Sequence, residues 1–174
     1  MQCHRSFEGE LLRTEDVAQL HGLLRSTIGT QLHVRSVTSG WCHLLRLLRG
    51  EASSAIVDEV MAILQAQTRD RGAEWEGRNL SMALHAMARL RSQDTVMLQQ
   101  LADHLAQPSV AQTMNAQGVA NAAWAFAKLG VIHEALMETL AHRCVCVLNP
   151  TGEVQRCTAI GQHSNPPSTS HRPR

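Results

Sequence analysis

Arg78, Met82, His85 and Arg89 follow one another at steps of four, three and four, so a helix containing them carries them on one face. Thirty-nine residues later the same spacing falls on Gln117, Asn121, Trp124 and Lys128. These types suit single-stranded RNA: an amide reads a base edge, a ring or guanidinium stacks on a base, and a cation meets a phosphate. The candidate RNA-binding residues are therefore Arg78, His85, Arg89, Gln117, Asn121, Trp124 and Lys128. Each also has a plainer role, as a packing residue for Trp124, a partner of a backbone carbonyl for Asn121 and solvated charge for the cations. At one base per repeat, two or three repeats read only two or three nucleotides.

Other chemistries find little support. Ten histidines are scattered without a His-Glu-x-x-His pattern. Cys144, Cys146, Cys157 and His163 are the best set of soft ligands, but their spacing fits no familiar zinc knuckle, so no metal and no cofactor are expected. The chain has no glycine-rich phosphate loop, nucleophile elbow or carboxylate pair on a common face, and is expected not to be an enzyme. Five cysteines, an odd number without a disulfide-like framework, read as reduced thiols.

Stacked helices would position the two faces. Under the offset of 39, Leu80 maps to Val119, Ala83 to Ala122, Met87 to Phe126 and Leu90 to Leu129. That period holds two helices and their turns, and such a unit buries its apolar face only against a neighbour. The predicted fold is all-α, an α-solenoid of antiparallel helical hairpins with repeats of about 39 residues. Helices are predicted at about 77–91, 93–106, 115–129 and 131–146, with Pro108 and Gly130 as breaks. Upstream, Val37, Trp41, Leu44, Leu45 and Leu48 form a helical stripe, and Ser53-Ser54 caps a partner bearing Ile56, Val57, Val60, Ile63 and Leu64. An offset of 41 or 42 relates this divergent hairpin to the next and puts Ser36, Gly40, His43 and Leu47 on its exposed face. Thr14-Glu15-Asp16 opens a further helix to about residue 26, and 65–76 reads as a polar loop. The expected organisation is an N-terminal helix and linker over 1–36, a repeat array over 37–146 (37–66, 77–106, 115–146) and a disordered tail over 147–174, rich in Pro, Ser and Gly.

Composition agrees. At 44% hydrophobic residues with only two Phe, three Trp and no Tyr, the core must be Leu, Ala, Val, Ile and Met, which suits helices rather than a β-sandwich. The net charge of +1 excludes a histone-like protein, although all but one of the 16 Lys and Arg are Arg, which pairs with phosphate and stacks on bases. No apolar stretch approaches the roughly 20 residues that span a bilayer, so no membrane partner is expected. The first ten residues have neither a signal-peptide core nor the acid-poor character of a transit peptide.

The segment Asn115-Ala-Gln-Gly-Val-Ala-Asn-Ala-Ala-Trp-Ala-Phe-Ala-Lys-Leu-Gly130 resembles the first helix of an octotricopeptide repeat. The same pattern occurs in the helical region of FAST-kinase-like proteins that carry a RAP domain. Residues 78–91 depart from it, with Met82 and His85 where Asn121 and Trp124 stand. The resemblance implies RNA binding in mitochondria or chloroplasts, acting on transcript processing, stability or translation. Without it the location reads as cytoplasmic. The alternative function is an armadillo or HEAT-like scaffold for other proteins, whose hairpins share the same physics.

Overall fold

The computed structural model describes residues 2–48 and 54–148. These form α1 (Gln2–Arg13), α2 (Val17–Arg25), α3 (Val34–Leu47), α4 (Ala55–Arg69), α5 (Gly77–Arg89), α6 (Thr95–Leu105), α7 (Pro108–Ala111), α8 (Ala116–Leu129) and α9 (Glu134–Leu148), with a 3-10 turn at Gly72–Glu74. The described residues contain no strand, so the fold is all-α as expected. In one layer α5 packs between α3 and α8, and α1 packs on the outer side of α3. In the other, α2 meets α4 and α6 meets α9. Trp41, Trp75 and Phe126 are the largest of the side chains buried between the helices.

Side-chain caps start most of these helices by occupying amides that have no partner inside the helix. Asp16 accepts from Gln19 N at 2.8 Å, Asp94 from Met97 N at 3.0 Å and Asn115 from Gly118 N at 2.8 Å. Ser54 caps α4, and His133 Nδ1 accepts from Leu136 N at the start of α9. No helix was predicted over 1–13, yet α1 is there, with Leu11 fully buried and Glu8 accepting from Ser39 Oγ at 2.8 Å. The segment expected to be a polar loop is helical to Arg69. Gln67 is buried because it donates to Thr30 O and accepts from Leu32 N, and Thr68 because it accepts from Trp41 Nε1. At the other end Val147 and Leu148 belong to α9, and the rest of the predicted disordered tail lies outside the described residues.

The offset between α5 and α8 recurs in detail. His104 Nε2 donates to Trp75 O at 2.7 Å, and 39 positions on, Arg143 donates to Met114 O at 3.0 and 2.7 Å through Nε and Nη2. Each second helix thereby holds the carbonyl of the residue just before the cap of a first helix. Gly77 sits at a close approach: a Cβ there would lie 2.5 Å from Val110 O and 2.7 Å from Met114 Cγ.

The α3 hairpin keeps a different register. Its buried Val37, Gly40, Trp41 and Leu44 match Leu80, Ala83, Leu84 and Met87 at an offset of 43, not the 41 or 42 expected. The cause is a longer connection: the caps His33 and Ser54 stand 21 positions apart, against 18 for Glu76 and Asp94 and for Asn115 and His133. Two interfaces confirm the register. Thr38 Oγ1 approaches Asn79 O at 3.5 Å, and their counterparts are Ser81 and Gly118, where Ser81 Oγ would lie 3.1 Å from a Cβ on Gly118.

Candidate nucleic-acid interface

With this register α3, α5 and α8 present four aligned rows of side chains. From the N-terminal ends they are Arg35, Arg78 and Gln117; Ser39, Met82 and Asn121; Cys42, His85 and Trp124; and Arg46, Arg89 and Lys128. This corrects the face expected for the α3 hairpin. Ser36 and His43 are each 2% exposed, Leu47 is half-buried, and a Cβ on Gly40 would lie 2.8 Å from Leu64 Cδ2. The true row members include two guanidiniums that the sequence reading missed, Arg35 and Arg46. The sequence signal for them is Trp41 and Leu44, the inner edge of a stripe that the apolar Leu45 and Leu48 broaden.

The seven candidate residues fall on this one face. Arg78, Arg89, Gln117, Trp124 and Lys128 are exposed, and His85 and Asn121 are half-buried. Trp124, 41% exposed, does not enter the core. Its ring centroid lies 5.0 Å from that of His85 at 43° between planes, so the two rings form one tilted aromatic step across α5 and α8. Asn121 Oδ1 accepts from Gln117 Nε2 at 2.8 Å, a bond between two face side chains rather than to a backbone carbonyl.

Most cations on this face stand outside ion pairs. Arg35, Arg78, Arg89 and Lys128 make no ion pair with any described residue. Arg46 is held by His43 Nδ1 at 2.9 Å and Leu12 O at 3.3 Å. Elsewhere, Arg69 pairs with Asp94 at 2.8 Å and Arg71 with Glu74 at 2.7 Å. Burial, and then the nearby Arg89, hold the His85 pKa below that of an ordinary imidazole, so at neutral pH the ring stacks without charge. Burial raises the Cys42 thiol above its usual range and keeps it protonated.

At the N-terminal end of the face, α1, α3 and α5 enclose a cleft of about 670 Å³. Arg35 and Arg78 line it together with Glu8, Glu74, Glu76 and Asn79. Among the described residues no cluster of three or more His, Cys, Asp or Glu could hold a metal ion, and Cys157 and His163 lie outside them. No helix among the described residues is long and apolar enough to cross a membrane.

A family model, RESC6, the RNA-editing substrate-binding complex 6 protein, matches residues 42–157, about two thirds of the 174-residue chain. No curated protein matches the chain. The family match overturns the resemblance to octotricopeptide-repeat and FAST-kinase-like proteins. The motif that carried that resemblance is set by packing: Ala122 and Ala125 are small because neighbouring helices approach there, and Phe126 fills the core. Any stacked helical hairpin asks for such residues, so the pattern does not distinguish one repeat family from another.

Proposed function

The chain belongs to the RNA-editing substrate-binding complex 6 protein family, and from that membership we propose that it binds single-stranded RNA as a non-catalytic subunit of a mitochondrial RNA-editing assembly. Its hairpins form an α-solenoid, and the RNA lies across the first helices α3, α5 and α8. The observation that carries this reading is the alignment of unpaired Arg35, Arg78, Arg89 and Lys128 around the exposed His85–Trp124 step. Cations that form no ion pair can meet phosphates, and an exposed ring is free to stack on a base.

A second reading, contact with another protein of the assembly, has its own support on a different side. Leu98, Ala102, Ser81 and Ala88 are buried, whereas their counterparts one repeat later, Met137, Ala141, Ala120 and Ala127, are exposed. Among the described residues, the α8–α9 hairpin thus leaves open the positions that are covered in the α5–α6 hairpin. Fluorescence-anisotropy titration of short single-stranded RNA, with circular dichroism as the fold control, separates the two readings. Replacing Arg89 and Lys128 by Gln and Trp124 by Ala should weaken RNA binding by tenfold or more at unchanged helicity. Binding equal to wild type would move the proposal to the protein-contact side.

A further inference from the structure

The cleft between α1, α3 and α5 is not a simple anion site. Arg35 and Arg78 occupy equivalent positions near the starts of adjacent helices and line it together, but three carboxylates line it too. Glu8 is engaged by Ser39 Oγ at 2.8 Å and Glu74 by Arg71 at 2.7 Å. Glu76 differs: it holds the N-cap position of α5, where its backbone carbonyl accepts from Leu80 N at 2.9 Å, but its side chain makes no capping hydrogen bond and no ion pair with a described residue. Asp, Asn, Ser or Thr would cap better there, so this side chain supplies the helix with no capping bond and its carboxylate oxygens keep their acceptor capacity.

A bare phosphate would meet the carboxylates, and a bare cation would meet the guanidiniums. A nucleotide carries both an anionic phosphate and, on its base, hydrogen-bond donors. The volume of about 670 Å³ lies within the ordinary range for small-ligand sites. Among the bases, guanine presents N1–H and N2–H side by side, matching the two oxygens of one carboxylate in parallel charge-assisted bonds. Uracil offers a single N3–H between two carbonyls that would repel that carboxylate, and adenine and cytosine each set an amino group beside an acceptor. The geometry points to this cleft as the seat of one guanine nucleotide of the bound strand. Glu76 accepts from the N1–H and N2–H edge, and Arg35 and Arg78 hold the flanking phosphates. This assignment rests on the RNA-binding reading above and adds base selectivity to it.

The test is anisotropy titration of the full chain against an oligouridylate of eight nucleotides and against the same oligonucleotide with one central guanosine. The guanosine oligonucleotide should bind about tenfold more tightly, as two charge-assisted bonds imply. Glu76→Gln should bring the ratio close to one, because the amide retains one acceptor and turns an NH2 toward the guanine amino group. Arg35→Gln should weaken both oligonucleotides. Equal wild-type affinity for the two, or a preference that survives Glu76→Gln, would overturn the guanine site while leaving RNA binding standing. Failure of a folded wild-type chain to bind either would overturn both. The wild-type ratio decides the question even if a variant fails to fold.

Discussion

At the scale of single residues, the hydrogen bonds around His43 set its protonation state. The residue is 2% exposed, and Arg46 Nη2 lies 2.9 Å from its Nδ1. A guanidinium only donates, so Nδ1 accepts and Nε2 carries the proton, which it directs at Thr14 O and Oγ1, 3.0 and 2.8 Å away. A second proton on Nδ1 would break the bond from Arg46 and set two cations together. Burial first, and Arg46 after it, lower the His43 pKa against a partial opposing effect of the Thr14 carbonyl. In the unfolded chain the same imidazole takes up a proton near pH 6.5, whereas in the folded chain it does so only at lower pH. Its contribution is therefore complete above about pH 6.5 and is lost as pH falls through that value. Urea denaturation at pH 7.5 and 5.5 should show the wild type losing stability on acidification, and His43→Gln should show a smaller loss between the same two points. His85, whose pKa is lowered in the same direction, contributes to the remaining decline.

At the scale of elements, the ends of α5 and α8 use one turn with different residues. After α8, Gly130 takes a left-handed φ of 70° and Val131 N bonds back to Phe126 O at 3.1 Å. After α5 the equivalent position is Arg91 at φ 55°, with Ser92 N bonded to Met87 O at 3.0 Å. A side chain with a Cβ pays for that conformation where glycine does not. Arg91→Gly should accordingly raise the unfolding free energy by about 1 kcal/mol, read as a higher urea midpoint at unchanged slope. This pair also shows what the sequence discloses and what it hides. The helices α5, α6, α8 and α9 were legible because both hairpins repeat the same apolar positions at a constant offset. The register of α3 was not, because Leu44, Leu45, Leu47 and Leu48 are all apolar and only the length of the following connection decides which of them face inward. With that register hidden, Arg35 and Arg46 could not be placed beside Arg78 and Arg89. The helix α1 was hidden for another reason: it is mostly polar and is held by Leu11 and by the bond between Glu8 and Ser39, contacts that only the folded chain reveals.

At the scale of the whole molecule, a net charge of +1 gives no long-range attraction for a polyanion, so any RNA affinity must come from where the charges stand. Four cations on the shared face form no ion pair with a described residue: Arg35, Arg78, Arg89 and Lys128. Each phosphate neutralised on a single strand contributes about −0.7 to the slope of log K against log salt, so four contacts imply a slope of about −3. Removing Arg89 and Lys128 together should flatten it by about 1.4, whereas Trp124→Ala should lower affinity at every salt concentration and leave the slope unchanged, because stacking releases no counterions. A non-specific polyanion binder would show a different pattern. Its slope would respond equally to the loss of Arg13 and Arg25, exposed arginines outside the four rows, and Trp124→Ala would cost it little. Anisotropy titrations of the wild type and these three variants at four salt concentrations therefore report whether the aligned rows or the bulk surface bind RNA. A slope that falls only with Arg89 and Lys128, beside an affinity that falls without slope change for Trp124, is the signature of one strand lying along α3, α5 and α8.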